Sequence, residues 1–166
     1  MEFGSGRGLA LVIDDEPDSR RETRRLLGAL GFDVVHAATG LVGLELVQRL
    51  PESFALVLTD LTLRGVPGAV VVEALRLFRP ELPVLCMGRA RAVGVPALPQ
   101  RCLAKPLQAA ELRARVEAVL NGVPNEGELS SQPLSGEVVA RAREQYAAGR
   151  GLVEAALELA RGYSEH

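Results

Sequence analysis

Leu9-Ala-Leu-Val-Ile13 runs without a break into Asp14-Asp15-Glu16. Five apolar residues in a row suit a strand of a parallel sheet covered on both faces, where no side chain has to meet water. The three acidic residues then stand at the strand's carboxyl end. Pro17 suits the first position of a following helix and Gly31 its end. Leu26, Leu27 and Leu30 form its apolar stripe, beside Arg20, Arg21, Arg24 and Arg25. The pattern returns at Phe54-Ala-Leu-Val-Leu-Thr59, which leads straight into Asp60.

Working outward, residues 33–37 read as a second strand. Residues 40–50 read as a helix with Leu44, Val47 and Leu41 inward, closed by Pro51. Val71, Val72, Leu75 and Phe78 sit at helical spacing over 68–78, and Pro80 stops that helix. Residues 83–87 read as a fourth strand and 100–104 as a weak fifth. A helix over 106–120 carries Leu112, Val116, Val119 and Leu120 on one face, with a Glu111–Arg115 pair and Asn121-Gly122 at its end. Strand then helix, repeated, implies right-handed crossovers and an α/β, doubly wound, five-stranded parallel sheet. In such a sheet chemistry lies beyond the carboxyl ends of the strands. That singles out Asp14, Asp15, Glu16, Asp60, Gly88 and Lys105.

Composition agrees with a globular chain. Of 166 residues, 48% are hydrophobic and 24% charged, which excludes wholesale disorder, collagen and a disulfide scaffold. A net charge of −2 gives no basic field to draw the whole chain to nucleic acid or an anionic membrane. No apolar run approaches the roughly 18 residues that span a bilayer. Two cysteines are too few for a stapled secreted domain; they suggest a reducing, cytoplasmic compartment, with Cys86 and Cys102 as small core apolar groups. Residues 1–7 read as a disordered or cloning-derived start. His36 reads as a strand-end surface residue.

Among the 19 basic residues Lys105 is the only lysine. Asp14, Asp15 and Asp60 at the same end of neighbouring strands repel one another. At 4 Å each like-charge pair costs about 4 kcal/mol at an effective dielectric near 20. A hard divalent cation relieves this, because Mg²⁺ takes oxygen ligands and keeps several waters. Lys105 is a second, compact positive group. A divalent ion, an ammonium and a free carboxylate oxygen are what phosphoryl transfer onto an aspartate requires.

Asp14-Asp15 after an apolar strand, Asp60 after Leu56-Val-Leu-Thr59, and Lys105-Pro106 after the fifth strand together resemble the receiver domain of two-component response regulators, over roughly residues 8–122. The resemblance implies the CheY-like, flavodoxin-like strand order 2-1-3-4-5. It implies Asp60 as phosphoacceptor, Lys105 as partner of the phosphoryl group, and Mg²⁺ held by Asp14, Asp15, Asp60 and the backbone carbonyl of Thr62. It implies a cis Lys105–Pro106 bond. It implies a bacterial signalling phosphoacceptor, not a classical enzyme, that carries its own phosphorylation and dephosphorylation chemistry.

The chain departs from that family at two positions. Where the fourth strand normally ends in Thr or Ser, Gly88 stands, and Arg89 or Arg91 would have to compensate for the lost hydroxyl. Where the fifth normally carries Tyr or Phe, counting back from Lys105 places Cys102. Both members of the usual relay from phosphorylation to output are thus absent as residue types. Gly94, Pro96 and Pro99 between Gly88 and Lys105 oppose a regular fourth helix; a shortened or missing one is expected.

Residues 123–134 read as a linker and 135–166 as a helical extension. Ser135 caps a helix to 148 with Val138, Val139, Ala142 and Tyr146 on one side. Gly149-Arg-Gly151 breaks it, and Leu152, Val153, Ala156, Leu157 and Ala160 are spaced for burial in the next. From residue 124 onward seven Glu face four Arg, which disfavours DNA. The extension suits docking or homodimerisation, or packing back on the receiver itself. Three functions stay open. One is a phosphorelay receiver fed by a histidine kinase or histidine phosphotransfer protein and passing its signal to a protein target. The others are a receiver-like module that works without phosphorylation, and a truncated DNA-binding regulator.

Overall fold

The computed structural model describes residues 6–89, 102–123, 125 and 134–164. Eleven elements are present among them: β1 (Leu9–Ile13), α1 (Pro17–Ala29), β2 (Asp33–Ala37), α2 (Gly40–Arg49), β3 (Phe54–Asp60), α3 (Gly68–Phe78), β4 (Val84–Arg89), β5 (Cys102–Lys105), α4 (Ala109–Leu120), α5 (Gly136–Ala147) and α6 (Gly151–Ser164). The strands form one parallel sheet in the order β2-β1-β3-β4-β5. The expected break of the fourth helix falls between β4 and β5, outside the described residues.

The continuous apolar runs are explained by cover on both faces. Ala10, Val12, Leu56, Leu58, Leu85, Met87 and Leu103 pack with Leu26 and Leu27 of α1 and Leu112 and Val116 of α4. Leu11, Ile13 and Val57 alternate to the other face, with Leu44 and Val47 of α2 and Val70, Val71 and Leu75 of α3. Several boundaries move. The fourth strand extends to Arg89, so Gly88 and Arg89 lie inside it. The helix after β5 starts at Ala109, not Pro106, and Leu120 at its end is exposed. His36 is partly buried in β2, and its Nδ1 is buried without a hydrogen-bond partner.

Cys86 and Cys102 are not separate apolar fillers. They are register partners on β4 and β5, with Cα atoms 4.7 Å apart, and they form a disulfide. Sequence could not show this, because they lie 16 positions apart and only the strand order brings them side by side. The pairing removes the argument from cysteine content to a reducing compartment. Among the described residues no helix is long and apolar enough to cross a membrane.

The extension packs back. Ser135 caps α5 by accepting from the Val138 N–H at 3.3 Å. Gly149 and Gly151, at φ 79° and 87°, turn the chain between α5 and α6. Val138, Ala142, Leu152, Ala155, Ala156 and Leu159 are buried in the same core cluster as α2 and α3. Gln48 of α2 accepts from the Val153 N–H at 3.0 Å, and Phe78 of α3 stacks on Tyr146 with ring centroids 4.6 Å apart. The reason lies in α3. Gly68, Ala69, Val70, Val71, Val72, Ala74 and Leu75 are all buried, so the helix is apolar on most of its circumference and needs cover beyond the sheet. The buried stripe of α6 is shifted from the expected one. Ala155 and Leu159 are fully buried, whereas Val153, Leu157 and Ala160 are only partly so.

Candidate functional site

Asp14 follows the last residue of β1, Asp60 ends β3, and Lys105 ends β5, all at the carboxyl ends of the parallel strands. The three are buried, at 0%, 3% and 8% exposure. Lys105 Nζ donates to Asp14 Oδ2 at 2.8 Å and also to Asp60 Oδ2. The other carboxylate oxygens take backbone donors: Glu16 N–H to Asp14 Oδ1 at 3.0 Å, and Thr62 N–H to Asp60 Oδ1 at 2.7 Å. The Lys105–Pro106 peptide is cis.

One ammonium is shared between two carboxylates, so a net negative charge stays buried. Burial raises the Asp60 pKa above its ordinary value, against the opposing hydrogen bonds from Lys105 and the Thr62 N–H. For Lys105, burial lowers the pKa, but the hydrogen bonds to Asp14 and Asp60 outweigh it and hold the ammonium above its ordinary value. The two directions have different causes: burial dominates at Asp60, whereas the two carboxylates dominate at Lys105.

Asp15 is half-buried in the turn after Asp14. Among the described residues it makes no hydrogen bond or ion pair with Asp14, Asp60 or Lys105, and no three acidic, histidine or cysteine side chains are gathered as a ready metal site. The donor set is nevertheless all hard oxygen and carries uncompensated negative charge. That chemistry suits a hard divalent cation, although the present geometry is organised around the ammonium. Gly88 is buried in β4 and offers no hydroxyl, and the Cys102 side chain is tied to Cys86.

Two features of the site take their meaning only from packing. Gly68, at the start of α3, lies against the phosphoacceptor candidate's own backbone. A Cβ there would sit 1.9 Å from the Asp60 carbonyl oxygen and 2.6 Å from Leu61 Cα. A glycine just after Pro67 was the available signal, but only packing gives it meaning. Gly68→Ala is expected to push the β3–α3 turn away and destabilise the protein by about 1–3 kcal/mol or more. Urea denaturation measures this; a loss under about 0.5 kcal/mol would show that the turn yields freely. The second feature is Arg89, which forms a two-point ion pair with Glu16 at the rim: Nη2 to Oε2, and Nε to Oε1 at 3.3 Å.

The model of the response regulator receiver domain matches residues 10–117. A probable transcriptional regulator, ycf27, of Porphyridium aerugineum is 31% identical over 131 residues, covering 76% of this chain and 53% of that protein. A transcriptional regulatory protein, the CpxR homolog of Haemophilus influenzae, is 32% identical over 115 residues, covering 66% and 49%. The chain thus spans about half the length of the curated relatives it matches. Among solved structures, a response regulator receiver protein from Sinorhizobium medicae is 25% identical with a TM-score of 0.58, covering 70% of this chain and 97% of that one. A receiver domain from Clostridium thermocellum, 23% identical with a TM-score of 0.59, covers 69% and 94% and shows the shared fold.

Proposed function

This chain belongs to the response regulator receiver family, and from that premise we propose that it accepts a phosphoryl group on Asp60 from a histidine kinase or a histidine phosphotransfer protein. The observation that carries the reading is the buried Asp14–Lys105–Asp60 triad. A carboxylate nucleophile is there presented beside a permanent cation that can also meet a phosphoryl oxygen.

In the step, an Asp60 carboxylate oxygen attacks phosphorus. The bond from phosphorus to the donor's nitrogen or oxygen breaks, and the donor leaves with its electron pair. The Thr62 N–H orients the Asp60 carboxylate through Oδ1, leaving Oδ2 on the Lys105 side. Lys105 holds the site's charge and offers its donors to the incoming group. Mg²⁺, held by Asp14, Asp15, Asp60 and the Thr62 carbonyl, would supply charge neutralisation at the phosphoryl oxygens. The relatives named as transcriptional regulators are about twice as long as their match to this chain. Output through protein–protein contact is part of the same proposal, and the apolar residues that α5 and α6 bury against α2 and α3 are not the contact surface.

Incubation with an acyl phosphate and Mg²⁺, followed by peptide mass spectrometry, tests the reading. The expected result is one phosphoryl adduct on Asp60, absent from Asp60→Asn. A chain that stays unlabelled while a control receiver is labelled would overturn it and favour a module that works without phosphorylation.

A further inference from the structure

A phosphoryl group on Asp60 adds negative charge to a site whose one buried ammonium is already shared by two carboxylates. β4 supplies no hydroxyl to meet it, because Gly88 has no side chain. Two guanidinium groups approach the site among the described residues. Arg20 is engaged below it, donating from Nη1 to the Asp14 backbone carbonyl at 2.9 Å. Arg89 stands at the rim, on the strand between those of Asp60 and Lys105.

The register places Arg89 closely. Met87 is the partner of Asp60, and Arg89 is the partner of Lys105. Arg89 is thus one strand across from Asp60 and two residues further along, about 6–7 Å of strand. That is within reach of an extended arginine side chain. Its side chain is 63% exposed and paired with the Glu16 carboxylate, itself 43% exposed. The hydrogen bond to Glu16, and then the charges of Glu16, Asp60 and Asp14, raise the pKa of Arg89, so the guanidinium lies within the field of the acidic site. Glu16 in turn is joined to the site through its N–H on Asp14.

We propose that Arg89 is a phosphoryl-binding residue: held on Glu16 in this state, it turns to the oxygens of phosphorylated Asp60 and takes the place of the hydroxyl that Gly88 lacks. The inference rests on Asp60 being the phosphoacceptor. Arginine suits the role, because its planar fork can bond two phosphoryl oxygens at once. Glu16 is then a competitor that keeps the cation at the rim until the stronger anion forms.

Trifluoroberyllate with Mg²⁺, followed by fluorine NMR, is the probe, alongside acyl phosphate labelling of the same full-length proteins. Arg89→Ala is expected to bind the analogue roughly 10- to 100-fold more weakly, the size of one charge-assisted hydrogen bond. Arg89→Lys, which keeps the charge and guards against a folding defect, falls between. Glu16→Gln is expected to tighten binding, and most of that gain should vanish in the Arg89→Ala background. A merely structural ion pair would instead make both single variants weaker. Wild-type affinity in Arg89→Ala, or an equal Glu16→Gln effect with and without Arg89, overturns the inference while labelling of Asp60 leaves the phosphoacceptor reading intact. A wild-type chain that neither binds the analogue nor labels overturns both.

Discussion

A chain that ends at Gly122 will lose roughly 3–5 kcal/mol of stability, melt about 10 °C lower or more, and self-associate. The size comes from what α5 and α6 cover. Val138, Leu152 and Leu159 are at most 4% exposed, and they join the cluster built on Val70, Val71, Ala74 and Leu75 of α3. Burying one such side chain is worth about 1.5–3 kcal/mol, and ordering the two helices offsets part of the sum. Truncation also uncovers apolar surface on α3, a surface of the kind that drives association. Differential scanning calorimetry and size-exclusion chromatography measure both effects. Leu159→Asp in the full chain should reproduce the loss without shortening the protein. A monomeric truncated chain with an unchanged melting temperature would show that the hairpin contributes nothing to the receiver.

Replacing Lys105 by methionine should cost about 3–5 kcal/mol at neutral pH, because it leaves Asp14 and Asp60 buried with no counter-charge. The pH dependence has a definite sign. Burial already raises Asp60 above 3.8 in the folded state, so the folded form holds the proton more tightly than the unfolded chain. The associated stability is present below the unfolded value and is lost as pH rises through the folded one. Without Lys105 this effect grows, so the variant should regain stability on acidification more steeply than the wild type. For the wild type at the alkaline end, the raised Lys105 contributes stability that is present below 10.5 and lost as pH rises through its folded value. Urea midpoints across pH for both proteins decide the matter. A loss below about 1 kcal/mol at pH 7, or parallel pH profiles, would mean that the triad is not held by charge.

Much of the site could be read in advance because its residues are chemically unusual for their places. Acids directly after apolar runs, and a sole lysine before a proline, stand out by type. The structure brings Asp14, Asp60 and Lys105 into one hydrogen-bonded group and leaves Asp15 apart from it. Gly68 did not stand out, because glycines are common in this chain, and Arg89 could be named only beside Arg91 as a substitute for the missing hydroxyl, with no position assigned to it. Their importance lies in a backbone carbonyl pressed against one and a carboxylate placed opposite the other.

The order of strands and helices was determined by the sequence itself, since burial on both faces demands unbroken apolar runs, and prolines and glycines punctuate them. Register between distant segments was not, because it depends on which surfaces meet. Cys86 faces Cys102 only once β4 and β5 lie side by side. Ala155 and Leu159 are inside, with Leu157 less so, only because α6 is rotated onto α2 and α3. An amphipathic pattern specifies that a helix needs a neighbour, and the neighbour then selects the stripe: here an apolar α3 that the sheet alone could not cover.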